Sequence, residues 1–283
     1  MSHRETLLLI YGSSSFQFMG KNLINFSTVD SLLKPFREFF TEAGALSDFA
    51  ARFFREVFKR PFEFREFLRQ CYYMGNRSLL LVGVTGFIIG LVFTLQSRPK
   101  MLELGAAAWL PSMVGISIVR EIGPIITALI CAGRIGSGIG AELGSMRVTE
   151  QIDAMEVSGT NPFKYLVVTR ILATTLMIPL LVLYSDAIAL YGSYLVESIK
   201  GDVSFTYYFD EVFVSLDYGD FIPSTIKTFF FGFAIGLVGC FKGYNTKHGT
   251  AGVGVSANAA VVETSMVLFI IDFVAVLVTD IFY

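Results

Sequence analysis

The stretch Ser78–Leu95, SLLLVGVTGFIIGLVFTL, decides the fold, because its 18 residues contain no charged side chain. That is just long enough to cross the roughly 30 Å hydrocarbon layer of a bilayer as a helix, with its flanking residues completing the span. Four more apolar runs follow. Residues 104–139 are too long for one straight crossing and carry Arg120, Glu121, Pro124 and Arg134. Residues 165–196 carry Arg170, Pro179 and Asp186, and residues 221–241 carry Lys227. Residues 257–283 carry Glu263, Asp272 and Asp280. The expectation is an all-α integral membrane protein with about five transmembrane helices.

Composition agrees. The 283 residues are 53% hydrophobic and 16% charged, against about 25% charged in soluble domains. Mean hydropathy is +0.61. Glycine, with 26 copies, is frequent in membrane helices. Gly86/Gly90, Gly136/Gly140/Gly144 and Gly232/Gly236 stand at the small-xxx-small spacing that lets helix backbones approach closely in lipid.

Charges in the connections orient the spans. Before the first lie Arg52, Arg55, Lys59, Arg60, Arg65, Arg69 and Arg77; after the second lie Arg147 and Lys164; after the fourth lie Lys242 and Lys247. The connection after the third holds Glu197, Asp202, Asp210, Glu211, Asp217 and Asp220 against Lys200. The positive-inside rule then places the N-terminus in the cytoplasm and the C-terminus outside. Arg98 and Lys100, in the first external connection, fit this orientation poorly.

Residues 1–45 form an N-terminal extension of no assignable role, and Leu7–Tyr11 is too short for the apolar region of a signal peptide. Residues 46–75 read as a basic amphipathic helix at the membrane interface. There Phe49, Phe53, Phe54, Val57 and Phe58 recur at helical spacing among Arg52, Arg55, Lys59 and Arg60. An ordinary soluble amphipathic helix gives the same pattern.

Several chemistries are excluded or weak. A net charge of −2 argues against nucleic acid. Cys71, Cys131 and Cys240, with His3 and His248, make neither a metal-ligand spacing nor a disulfide framework. No GxxxxGK[ST] phosphate loop is present, and the GVGVSA at 252–257 lacks the βαβ setting of a dinucleotide site. No cofactor is therefore expected in this chain.

The intramembrane charges carry more information. A charge at the bilayer centre costs at least about 2.5–3.5 kcal/mol on insertion scales, so Arg120, Glu121, Lys227 and Asp272 should face a bundle interior or a cavity. Internal pairing that fixes helix register and a polar patch on a substrate path are both open readings. Neighbours on a helix point about 100° apart, so Arg120 and Glu121 should not both face the same neighbour, and one would pair internally while the other reaches the cavity; Glu121, with the shorter reach, is the better cavity candidate.

In the connection after the second span, Val148, Ile152 and Met155 make an apolar stripe beside an acidic stripe of Glu150, Asp153 and Glu156. Gly159 would stop such a helix, of about residues 147–159, and Pro162 would start the next element. A short acidic amphipathic helix between spans suits docking into a groove on a cytoplasmic partner.

Three stretches carry a specific resemblance: REIGP at 120–124, AGRIGSGIGAELGSMRVTEQIDAMEVSGTNPFKYLVVTR at 132–170, and FKGYNTKHGTAGVGVSANAAVVETSMVLFIIDF at 241–273. In kind and order they resemble the MlaE/YrbE family of ABC-transporter permeases, over about residues 48–283. The resemblance implies a permease homodimer in a bacterial inner membrane that moves phospholipid between membranes. It also implies a cytoplasmic ABC ATPase that holds ATP and magnesium, a periplasmic MCE-domain protein, and in some assemblies a small cytoplasmic STAS-domain protein. It would make residues 147–159 the coupling element, with Glu150, Gln151, Asp153, Met155 and Glu156 meeting the ATPase, and would set Arg120, Glu121, Lys227 and Asp272 at charged positions of the membrane domain. His248 departs from the glycine of many members. Two rival classes are a secondary carrier or ion channel working through Glu121 and Asp272, and an intramembrane enzyme. The first lacks an internal repeat; the second lacks a nucleophile–base pair.

Overall fold

The computed structural model describes residues 26–247 and 249–282, all helix and connection with no strand among them. Residues 1–51 and 52–283 form two units. The first supplies the greater part of helix α1 (Phe26–Val57). The second holds five helices long and apolar enough to cross a membrane. These are α2 (Phe64–Glu103), α3 (Ala107–Val148), α5 (Phe163–Gly201), α7 (Tyr218–Tyr244) and α8 (Thr250–Phe282). Two shorter helices intervene: α4 (Gln151–Val157) and α6 (Phe205–Ser215). The five expected spans are all present.

The expected interfacial helix over 46–75 is not one element. Its first part is the end of α1, which stops at Val57, and α2 begins only at Phe64. Pro61 is the cause, since a proline disfavours helical backbone at the residue before it. Residues 52–57 also pack on the bundle rather than standing apart: the Phe53 ring meets Phe233 at 5.6 Å, and the Arg52 guanidinium sits 4.2 Å from the Phe163 ring. Just beyond, Lys59 holds the Glu56 carboxyl below the usual carboxylate range through a hydrogen bond.

Helix α5 is the centre of the bundle, packed lengthwise against α2 and α7. Glycines make both contacts possible. A Cβ built at Gly90 of α2 would overlap the Ala189 carbonyl oxygen of α5, and one at Gly232 of α7 would lie 2.6 Å from the Thr174 carbonyl oxygen. Backbones this close exclude any side chain between them, which is the packing expected of small-xxx-small positions. Polar contacts seal the α2–α5 seam: Thr94 Oγ1 lies 2.6 Å from Ser193 Oγ, and Arg98 Nε donates to Glu197 at 3.0 Å. The awkward Arg98 is thus paired within the bundle.

The acidic connection after α5 is itself structured. Ser204 caps α6, whose Tyr208 and Val212 are fully buried against Leu110, Val114 and Ile118 of α3. Tyr194, Phe205, Tyr208 and Phe209 form a ring cluster, and the Tyr208 hydroxyl lies 2.7 Å from Ser193 Oγ. Burial pushes that phenol up to about 12.

Candidate functional site

Helix α3 is not a regular α-helix throughout. It widens into π-helical turns at Ile118–Ile122 and Ala132–Gly136. Such turns occur mostly where a side chain must be aimed differently from the regular ladder, often at functional sites. The first contains Arg120 and Glu121. Ser224 of α7 donates to the Val119 carbonyl oxygen of that turn at 2.6 Å, which fixes α7 against it. One turn further along α7 stands Lys227, its side chain only 4% exposed.

Lys227 gathers the charges named from the sequence. Its ammonium lies 2.6 Å from Glu121 Oε2 and 3.0 Å from Asp272 Oδ1 of α8. The first contact is an aligned hydrogen bond; the second is an ion contact without hydrogen-bond alignment, which leaves Asp272 Oδ1 without a directed donor. Arg120 turns to Asp220, 3.4 Å away at the start of α7. One lysine therefore ties α3, α7 and α8 together. Burying an ammonium is expensive, and two carboxylates at contact distance are what make it tolerable. Lysine can also reach both because its stem is long and its three donors rotate.

The expected division of labour between Arg120 and Glu121 is corrected by this geometry. Both side chains are about equally open, 41% and 38%, both are paired, and they also approach each other at 3.9 Å. In the wider turn consecutive residues diverge less than in an α-helix, so both reach partners on α7.

Asp186 of α5 is an intramembrane charge that sequence reasoning left outside the cluster. It is buried, its Oδ1 has no hydrogen-bond partner, and Lys227 acts on it electrostatically. It packs on Gly123, where a Cβ would overlap the carboxylate. The available signal was its isolation as the lone acid in residues 171–196.

Beside Lys227 a groove of about 580 Å³ opens between α7 and α8. Its walls are Ile226 and Phe230 on one side and Ile270, Ile271, Val274 and Val278 on the other. The arrangement is an apolar trough whose one charged lining residue, Lys227, is already paired with Glu121 and Asp272.

The second site lies at the end of the bundle where α3 turns into α5. The expected continuous helix over 147–159 is broken: α3 runs to Val148, Glu150 adopts a left-handed backbone with φ 58°, and α4 starts at Gln151. The acidic stripe therefore has Glu150 at its entrance rather than in its first turn. Ile152 is fully buried and anchors α4, while Met155 is half-buried. Glu150, Gln151, Asp153 and Glu156 are exposed, and Val157 is 91% exposed. Arg147 restrains the near end through a 2.5 Å contact with Asp153. Gly159, with φ +80°, ends the element as expected. His248 lies outside the described residues.

A five-span helical protein with a lysine-centred cluster in its apolar layer and an exposed acidic helix at one end belongs to the class of transport permeases. The family comparison makes this specific. The family described as Permease MlaE matches residues 67–278, and the chain belongs to it. It is similar to a probable ABC transporter permease protein of Rickettsia prowazekii, 37% identical over 87% of this chain and 94% of that protein. A probable ABC transporter permease protein of Synechocystis is 34% identical over 74% of this chain and 80% of its own length. Protein TRIGALACTOSYLDIACYLGLYCEROL 1, chloroplastic, of Arabidopsis thaliana is 33% identical over 77% of this chain and 62% of its own length.

Proposed function

We propose that this ABC-transporter permease moves phospholipid, and that the groove between α7 and α8, with Lys227 in its wall, is part of the lipid path. The observation that carries this reading is the shape of the groove: a long apolar wall running past a buried charged cluster suits an amphiphile, with acyl chains along the wall and the polar head at the cluster. The diacylglycerol lipid in the name of the Arabidopsis relative supports a lipid as substrate. In this reading the chain lies in a bacterial inner membrane with its N-terminus in the cytoplasm. It pairs with a second copy, and the partner ATPases hold ATP and magnesium. A periplasmic MCE-domain protein exchanges lipid on the far side, and a small STAS-domain protein is a further cytoplasmic partner.

Coupling runs through α4. Its buried Ile152 ties it to the bundle, and its exposed acids and Val157 present charge and apolar area to a partner. Closure of the ATPases pushes α4 and with it the end of α3, whose π turn carries Glu121. Transport requires that nucleotide and lipid favour different states of the groove. Replacing Glu150, Asp153 and Glu156 together by lysine should abolish co-purification of the ATPase while the permease stays folded. An intact complex carrying all three substitutions contradicts the coupling role, and ATP-independent lipid movement would favour a secondary carrier. Orientation is tested with an impermeant thiol reagent: a cysteine near Asp210 should react in intact cells, one near Asp153 only after permeabilisation.

A further inference from the structure

A second polar site lies between α2 and α3, apart from the Lys227 cluster. A pocket of about 330 Å³ is lined by Gln70, Tyr73, Arg77, Ser78, Arg134 and Glu142, among others. Arg77 is the residue immediately before the uncharged run 78–95, so the pocket opens where α2 enters the apolar layer. That is the level of lipid phosphates at the end of the bundle that carries α4.

The groups there are arranged for an anion. Arg134 stands in the second π turn of α3 and uses Nε to bond the Arg77 carbonyl oxygen at 3.1 Å, which leaves its two terminal nitrogens without a protein partner among the described residues. Arg77 donates one terminal nitrogen to the Tyr73 hydroxyl at 2.5 Å and lies over that ring at 4.0 Å, so the guanidinium is held in place. Ser78, a wall residue, is 2% exposed, and its buried hydroxyl has no hydrogen-bond partner among the described residues. The one carboxylate in the wall, Glu142, is paired with the buried Arg170 at 2.9 Å. The pocket therefore has two oriented forks and an idle buried hydroxyl, with its acid already neutralised. Guanidinium forks match phosphate oxygens in pairs, and basic pockets between membrane helices hold lipid head groups.

We propose that the Arg77–Arg134–Ser78 pocket binds a phosphate group, that of a phospholipid head in the adjacent leaflet. It is a docking site separate from the α7–α8 groove, and it stands whether or not that groove carries lipid.

The purified full-length chain, delipidated in detergent, is titrated with dihexanoyl-phosphatidylglycerol and followed by native mass spectrometry. Parallel arms use the phosphate-free dihexanoylglycerol and inorganic phosphate. The wild type should bind the phospholipid at least tenfold more tightly than Arg77→Gln/Arg134→Gln, and dihexanoylglycerol should show no such difference. Arg134→Lys, which keeps the charge and loses the fork, should fall between. Inorganic phosphate that binds as tightly as the phospholipid would assign the pocket to the free anion and overturn the lipid assignment. A double variant that melts earlier yet binds phospholipid like the wild type would make the arginines helix anchors only. If the double variant does not fold, Ser78→Ala and Arg134→Lys decide the matter: unchanged affinity in both overturns the proposal.

Discussion

Helices α5 and α8 are both long and strongly apolar, yet the bundle treats them differently. Two-thirds of the most apolar stretch of α5 is buried within the chain, with 67% of its residues inside, against 11% for α8. Around α5 the neighbouring helices supply glycines where backbones touch. Along α8, Phe269, Ile270, Phe273, Val274 and Leu277 remain open; Ala260 and Leu268 are buried against its neighbours, and Asp272 to Lys227 and Glu263 to Lys242 add polar ties. Apolarity alone does not say what a membrane helix faces, since lipid is as apolar as leucine. Close packing marks α5 as scaffold; α8 packs on α7 and α3 by one face and leaves the other apolar and open.

The largest effect expected from breaking this contrast is at the tie. Lys227→Met removes the shared ammonium from Glu121 and Asp272, leaving Glu121 only its 3.9 Å contact with Arg120, and losing one partner of a buried pair costs roughly 3–5 kcal/mol. The low end applies, since Glu121 is 38% and Asp272 20% exposed. Thermal unfolding in detergent should show the loss, and Lys227→Met/Asp272→Asn should recover part of it. A single variant as stable as the wild type would remove the tie from the account.

Next comes the scaffold. Gly90→Ala forces a methyl group into the Ala189 carbonyl and should destabilise by about 1–3 kcal/mol, the usual cost of overpacking. The matched change in α8, Gly254→Ala, has open space within 4 Å and should be neutral or stabilise by up to about 1 kcal/mol. Equal melting shifts for the two would erase the distinction between the helices.

The smallest effect is a pH dependence at the edge of the scaffold. The Tyr208 phenol titrates at about 12 in the fold, against 10.0 ordinarily, because burial disfavours the phenolate. A folded-state value raised in this way adds stability that is whole below pH 10 and is lost as pH rises through 12. The wild type should therefore lose more melting temperature than Tyr208→Phe between those values; parallel curves would contradict the burial.

Much of this was legible in the sequence. The spans follow from uncharged runs, and the glycine spacings foretold close approach, which the Gly90 and Gly232 contacts show. Lys227, Glu121 and Asp272 announced themselves as charges where charge is costly. What stayed hidden depends on geometry that spacing does not encode. The π turns at 118–122 and 132–136 have no residue signature, so the joint pairing of Arg120 and Glu121 with α7 was not foreseen. The left-handed Glu150 split the coupling segment because a non-glycine residue with positive φ is uncommon. Asp186 looked like one more polar residue in a long run until Gly123 and Lys227 were seen beside it. Helix α6 hid in a stretch whose acids dominated its aromatic pattern.

Under the proposed function the face between α7 and α8 holds lipid and the buried face of α5 does not. A photoreactive amino acid placed at Ile270, in the groove wall, and another at Ile178, fully buried in α5, compare the two in the assembled transporter within native membranes. Position 270 should give a phospholipid adduct, reduced when ATP is supplied, and position 178 only intrachain adducts. Protein adducts alone at 270, or lipid yields at 270 that ignore ATP, would contradict the proposed function.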